Sequence, residues 1–153
     1  MPAPSGPWAQ PGQYTVKLTV DGKSYTQPLT LKMDPRVMTP AIGLAQQFTL
    51  SKQLYDAIID AQQTLGDIRA KRATNANAAE SAALQALEGQ AGGRGAAADG
   101  PDTFNSVIGA MNQLMGLLQG ADVMPTTQLV TAVGQRRAAL AKLKAKATSA
   151  LGR

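Results

Sequence analysis

The chain has no cysteine and no histidine, and these two absences remove most of the usual site chemistry. Without Cys there is no disulfide, no thiolate nucleophile and no Cys-ligated zinc. Without His there is no Ser-His-Asp triad, no ordinary general base near neutral pH, and no use of the commonest metal ligand. No catalytic group, cofactor or metal is expected. Aromatic residues make up only 4% of the chain, too few to build a platform for stacking sugars or bases. No run of about 18 apolar residues occurs, so no transmembrane segment is expected. The opening MPAPSGPWAQPG lacks the basic and apolar regions of a signal peptide. Compartment is left open, because a chain without Cys suits either side of a membrane.

A chain of 153 residues is one domain, or a small domain with an appendage. It is long enough to bury roughly 70% of its unfolded surface. The apolar fraction of 44% is carried largely by Ala, which buries little area per residue, so modest stability is expected. The net charge of +5 is unevenly placed. Arg136, Arg137, Lys142, Lys144, Lys146 and Arg153 all follow Val123 with no acid among them, so the basicity belongs to the last helix.

Residues 1–38 read as a β-hairpin. Tyr14, Val16, Leu18 and Val20 alternate with Thr15, Lys17 and Thr19, the period of a half-buried strand. Asp21-Gly22 is a favoured two-residue type I′ turn, which needs positive φ at both positions. A second strand follows over about 23–33, with Val20 opposite Lys23, Leu18 opposite Tyr25, Val16 opposite Gln27 and Tyr14 opposite Leu29. That register gathers Tyr14, Val16, Leu18, Tyr25, Leu29, Leu31 and Met33 on one apolar face. Pro28 cannot donate to a ladder and belongs on an edge or at a bulge. A two-stranded hairpin is marginal in water. Its face is expected to be covered either by the helices or, the favoured alternative, by partner strands upstream of Met1. Self-association through the hairpin is the other expectation, with exposed apolar surface in the chain as it stands.

Asp34-Pro35 ends the strand. Thr39-Pro40 then predicts a helix start, with Thr39 as the N-cap. The helix over 39–72 carries the stripe Leu54, Ile58, Ala61, Leu65, Ile68, a bundle seam, with Leu44 and Phe48 extending it. Residues 73–102 are Ala- and Gly-rich, with a short helix over 79–87 and a Gly-dense linker from Gly89 to Gly100. Residues 103–153 predict a helical hairpin. Its first helix opens at Asp102 or Thr103, carries Phe104, Val107, Met111, Leu114 and Leu118, and stops at Gly120. Its second starts near Thr126 with the stripe Leu129, Val133, Arg136, Leu140, Leu143, Ala147. The fold class is α+β: an N-terminal β-hairpin followed by a mostly antiparallel three- to four-helix bundle.

Few constellations carry chemistry. Asp56 and Asp60 lie four apart, as a glycoside-cleaving pair can. However, Asp56 follows Lys52 by four and Asp67 precedes Lys71 by four, the spacing of solvated ion pairs. Arg136, Arg137, Lys142, Lys144 and Lys146 are the candidate interaction surface for an anionic polymer or membrane. Their helix lacks aromatics, so no specific nucleic acid is expected. Arg136 falls on the seam, where its guanidinium must snorkel to the bundle edge. Met111, Met115 and Met124 suit core packing. Trp8 is read as a cover for the open edge of the hairpin's domain. Gly92-Gly93-Arg94-Gly95 lacks the strand and the Lys-Ser/Thr of a phosphate loop.

The stretch GPWAQPGQYTVKLTVDGKSYTQPLTLKMDPRVMTP resembles the C-terminal region of bacterial sortilin-like, BNR-repeat proteins, often described as glycosyl-hydrolase-like. There a β-propeller is followed by an Ig-like strand pair of the form G-x-Y-T-V-x-L-T-V-D-G-x-x-Y-x-Q-P-L-x-V-x-x-D-P-R and then a helical tail. LLQGADVMPTTQLVTAV is similar to that tail. The resemblance implies that the hairpin is the terminal strand pair of an Ig-like sandwich, with the propeller and the remaining Ig-like strands upstream. It implies an accessory module within a larger protein, extracytoplasmic if the parent is. Any hydrolase activity would then belong to the propeller, and no catalytic residue carries over.

Overall fold

A computed structural model describes residues 6–74, 77–90 and 101–152. Strands β1 (Gly12–Val20) and β2 (Lys23–Leu31) pair antiparallel in the expected register. Asp21 at φ 46° and Gly22 at φ 77° make the turn. Continuous pairing places Pro28 opposite Thr15 with no bulge. The polar face is knitted by its own side chains. Thr19 and Ser24 share a hydrogen bond of 3.0 Å, and Thr30 donates to Gln13 at 2.9 Å. The second strand ends at Leu31, two residues short of expectation, and Met33 turns in toward the helices.

Helix α1 (Ala41–Thr74) spans about 50 Å at 1.5 Å per residue. Its stripe Leu54, Ile58, Ala61, Leu65 and Ile68 is wholly buried, as the 4-3-4-3 spacing requires. Thr39 does not cap it, contrary to expectation. The Thr39 hydroxyl donates to the Asp122 carbonyl at 2.5 Å, and the Pro40 carbonyl accepts the first helical amide, from Leu44. The threonine is used instead to hold the connection that follows α3.

Helix α2 (Ala78–Glu88) opens on a capping box between Asn77 and Glu80. Residues 91–100, most of the Gly-dense linker, lie outside the described residues, as does Gly92-Gly93-Arg94-Gly95. Helix α3 (Phe104–Leu118) is capped by Thr103 and buries Phe104, Val107, Ile108, Met111, Met115 and Leu118. Leu114 is only partly buried, because Ile108 and Met115 occupy the seam beside Met111. Gln119 is the C-cap, at φ −100°, and Gly120, the expected stop, follows it directly. Helix α4 (Thr127–Leu151) starts on Thr126 and ends on the left-handed Gly152.

Cross-links give the helix directions. Gln53 with Arg137, Asp60 with Lys144, and Lys71 with the Ala150 carbonyl advance together, so α1 and α4 run parallel. Asp102 meets Arg136, while Leu117 and Leu118 share a groove with Gln128 and Leu129, so α3 runs antiparallel to α4. The short α2 docks by charge. Glu88, only 13% exposed, is gripped by Arg69 at 2.7 Å and Arg72 at 2.5 Å. Gln47, buried on α1, donates to the carbonyls of Leu118 and, at 2.7 Å, Ala121, satisfying groups left open at the end of α3.

The hairpin stands apart from this core. Among the described residues, neither strand contacts a helix. Only its base is anchored: Trp8, Ala9, Gln10, Pro11 and Met33 enclose a cavity of about 50 Å³ with Leu44, Gln47, Phe48 and Ser51 of α1.

Candidate interaction surfaces

The apolar face of the hairpin is open along its length. Tyr14, Val16, Leu18, Val20, Tyr25, Leu29 and Leu31 are all exposed, with Leu18 and Tyr25 at 58% each. Strand alternation puts these side chains on one side together with Lys23 and Gln27, and Gln13, Thr15, Lys17, Thr19, Ser24, Thr26 and Thr30 on the other. The helices therefore do not cover the face. Trp8, half-exposed, lies at the hairpin's base, where it lines the small cavity. The turn beyond β2 is closed by an ion pair between Asp34 and Arg36. The Asp34 carboxylate accepts from the Arg36 side chain at 2.6 Å and from its backbone N–H at 2.9 Å. The Arg36 side chain and then its backbone N–H hold the Asp34 carboxyl below the ordinary carboxylate range.

The five cations of α4 do not form one surface. Arg136 reaches Asp102 at 3.4 Å from the bundle edge, as snorkelling from a seam position requires. Arg137 donates to Gln53 at 3.0 Å, and Lys144 to Asp60 at 2.6 Å. Lys142 and Lys146 are exposed. At about 100° per residue, Arg137 and Lys144 lie on the flank facing α1, and Lys142 and Lys146 on the opposite side of the helix. A polyanion tracking one face would meet two of the five.

The carboxylates are equally occupied. Lys52 pairs with Asp56 at 2.7 Å, and Asp60 is taken by Lys144. Lys71, expected opposite Asp67, sends its ammonium to the Ala150 carbonyl at 2.9 Å, near the negative end of α4. Among the described residues, no group of three His, Cys, Asp or Glu side chains is placed to hold a metal, and no helix is long and apolar enough to cross a membrane.

No family model, curated protein or solved structure matches the chain. Its surfaces must speak through their own chemistry.

A second apolar area escaped the periodicity argument. Met38, Val123 and Met124 are exposed where the connections before α1 and after α3 meet. Leu114, Leu117 and Leu129 continue it as a groove between α3 and α4. Met38, Val123 and Met124 lie in loops and Leu117 off the α3 stripe, where spacing says nothing about faces, whereas Leu114 and Leu129 are stripe residues at the partly buried margin of the seam. Met111 and Met115 are in the core as expected, but Met124 is 54% exposed and packs over Gly43.

Proposed function

We propose that the chain is a non-catalytic structural and interaction module. In this reading it is the C-terminal accessory part of a larger BNR-repeat β-propeller protein of the glycosyl-hydrolase-like kind. The observation that carries the interaction role is the hairpin face: seven large apolar residues on one surface, all exposed and touched by no helix. Soluble chains seldom leave so much contiguous apolar surface unused. A flat pleated face with the opposite face polar fits against another β-sheet, as the two inner faces of a sandwich do. The larger parent is supported by the resemblance of the hairpin and of the α3–α4 connection. The bundle serves as the scaffold that carries the hairpin.

The face is tested with a hydrophobic fluorescent dye. The native chain is expected to bind it, and Val16→Thr with Leu18→Thr to lose most of that binding while helical circular dichroism is unchanged. A native chain that binds no dye would overturn the docking role. For the parent, the coding sequence ahead of Met1 decides: an in-frame continuation into propeller-like repeats supports the reading, and a stop codon directly upstream removes it.

A further inference from the structure

The hairpin register determines which of its two edges can accept another strand. A two-residue loop closes on a hydrogen-bonded pair, here Val20 with Lys23, and the pair types alternate from there. Leu18–Tyr25, Val16–Gln27 and Tyr14–Leu29 therefore exchange hydrogen bonds within the hairpin. Gln13–Thr30, Thr15–Pro28, Lys17–Thr26 and Thr19–Ser24 point their amides and carbonyls outward. On β2 that outward row is broken at Pro28, which has no N–H to give. On β1 the row of Gln13, Thr15, Lys17 and Thr19 is complete. No helix contacts either strand, so no helix lies against that edge.

We propose that a second copy of this chain docks on the outer edge of β1, with the two β1 strands antiparallel, giving a four-stranded sheet. This rests on the reading of the hairpin as the docking element and says how it pairs when the chain stands alone. The occupant follows from self-complementarity. Setting Val16 opposite Val16 of the second copy places Tyr14 against Leu18, Gly12 against Val20, Thr15 against Lys17 and Gln13 against Thr19. All nine residues of the strand are paired, apolar faces apolar, and every outward amide meets an outward carbonyl. Sliding by two residues one way sets Lys17 against Lys17 of the other copy. Sliding the other way brings Thr19 opposite Pro11, which cannot donate. The result is an isologous two-fold contact. It also removes the weakness of a lone hairpin, since three or more strands with an apolar face hold where two do not. The apolar face stays on one side of the widened sheet, still open to a larger partner.

Sedimentation equilibrium on the full chain tests this with a matched pair of variants. Lys17→Pro removes an outward N–H from β1. Thr26→Pro removes the outward N–H of its cross-strand neighbour on the other edge, so any cost to the hairpin itself is shared. The native chain and Thr26→Pro are expected to dimerise, with the dissociation constant of Lys17→Pro weakened at least about tenfold. A native chain that stays monomeric at about 100 µM overturns the proposal, as does equal weakening by both prolines. A second readout uses the absence of native Cys. Val16→Cys should oxidise to a disulfide-linked dimer, because directly opposed residues of a non-hydrogen-bonded pair lie about 4.5 Å apart, within disulfide range. Gln27→Cys, on the same face of β2, should not, and the reverse result sinks the proposal. A monomeric native chain that still binds the dye would remove the β1 edge while leaving the apolar-face reading in place.

Discussion

Replacing Phe104 with Ala is expected to cost about 3–5 kcal/mol, a large part of the 5–15 kcal/mol that holds a domain of this size. Phe104 is the largest fully buried side chain in the described structure. It is the first residue of α3, directly after the Thr103 cap, so its ring fixes where that helix enters the bundle. The chain has two phenylalanines, and the other, Phe48, lines the cavity at the base of the hairpin. The surrounding side chains are Leu, Ile, Met, Val and Ala in a close-packed seam, which relaxes only partly into a space the size of a phenyl ring. The measurement is urea unfolding followed by far-ultraviolet circular dichroism. The midpoint should fall with the slope unchanged, as for a loss of stability without a change in surface exposed. Phe104→Leu should cost far less, since it keeps most of the volume. Leu18→Ala on the open hairpin face should barely move the same transition. A Phe104→Ala shift below about 1 kcal/mol would mean that α3 is not docked through its first turn.

That contrast between Phe104 and Leu18 shows what a sequence can tell. Both sit on clean apolar patterns, one with the period of a helix and one with the period of a strand. Periodicity reports which residues share a face, and it does so correctly for Leu54 through Ile68, for α4, and for every pair in the hairpin. It does not report what that face meets. Leu18 is exposed because, among the described residues, no third strand or helix reaches it, a fact that lives in the whole topology. The grip of Arg69 and Arg72 on Glu88 was invisible for the same reason: its partners are 19 and 16 residues apart, beyond the reach of helical spacing rules. Thr39 carried the right local signature for a cap, but the Asp122 carbonyl, 83 residues away, captured its hydroxyl. The Asn77–Glu80 capping box marks the start of α2 at Ala78, one residue before the short helix expected over 79–87, an expectation drawn without it. The absence of His and Cys bears on the site in a different way. It limited the chemistry at the outset, and the structure then engaged both members of the Asp56–Asp60 pair in ion pairs with lysines.

The second large effect is expected at Gly89, where Ala should cost about 2–4 kcal/mol, combining a strained backbone with a disturbed cap. Gly89 ends α2 at φ 73° and ψ 176°, a region open to glycine and almost closed to side chains. Space forbids a methyl group as well. A Cβ there would lie 2.5 Å from Thr103 Cβ and 2.8 Å from Cγ2. Thr103 cannot simply retreat, because its hydroxyl accepts from the Ser106 amide at 3.2 Å as the N-cap of α3. The Gly89 carbonyl also accepts from Asn105 at 2.9 Å, while its N–H closes the last turn of α2 on Gln85. One residue thus joins the end of α2 to the start of α3 across the Gly-rich stretch between them. Gly89→Ala should loosen both helix ends, seen as faster hydrogen exchange over 84–89 and 103–107, with a lower urea midpoint. Gly66→Ala is the internal comparison: it lies within α1 with no atom within 4 Å of the added carbon, and should stabilise by about 0.5–1 kcal/mol through helix propensity. If the two substitutions shift stability in the same direction, the junction at Gly89 is not held by Thr103, and the docking of α2 rests on the grip of Arg69 and Arg72 of α1 on Glu88.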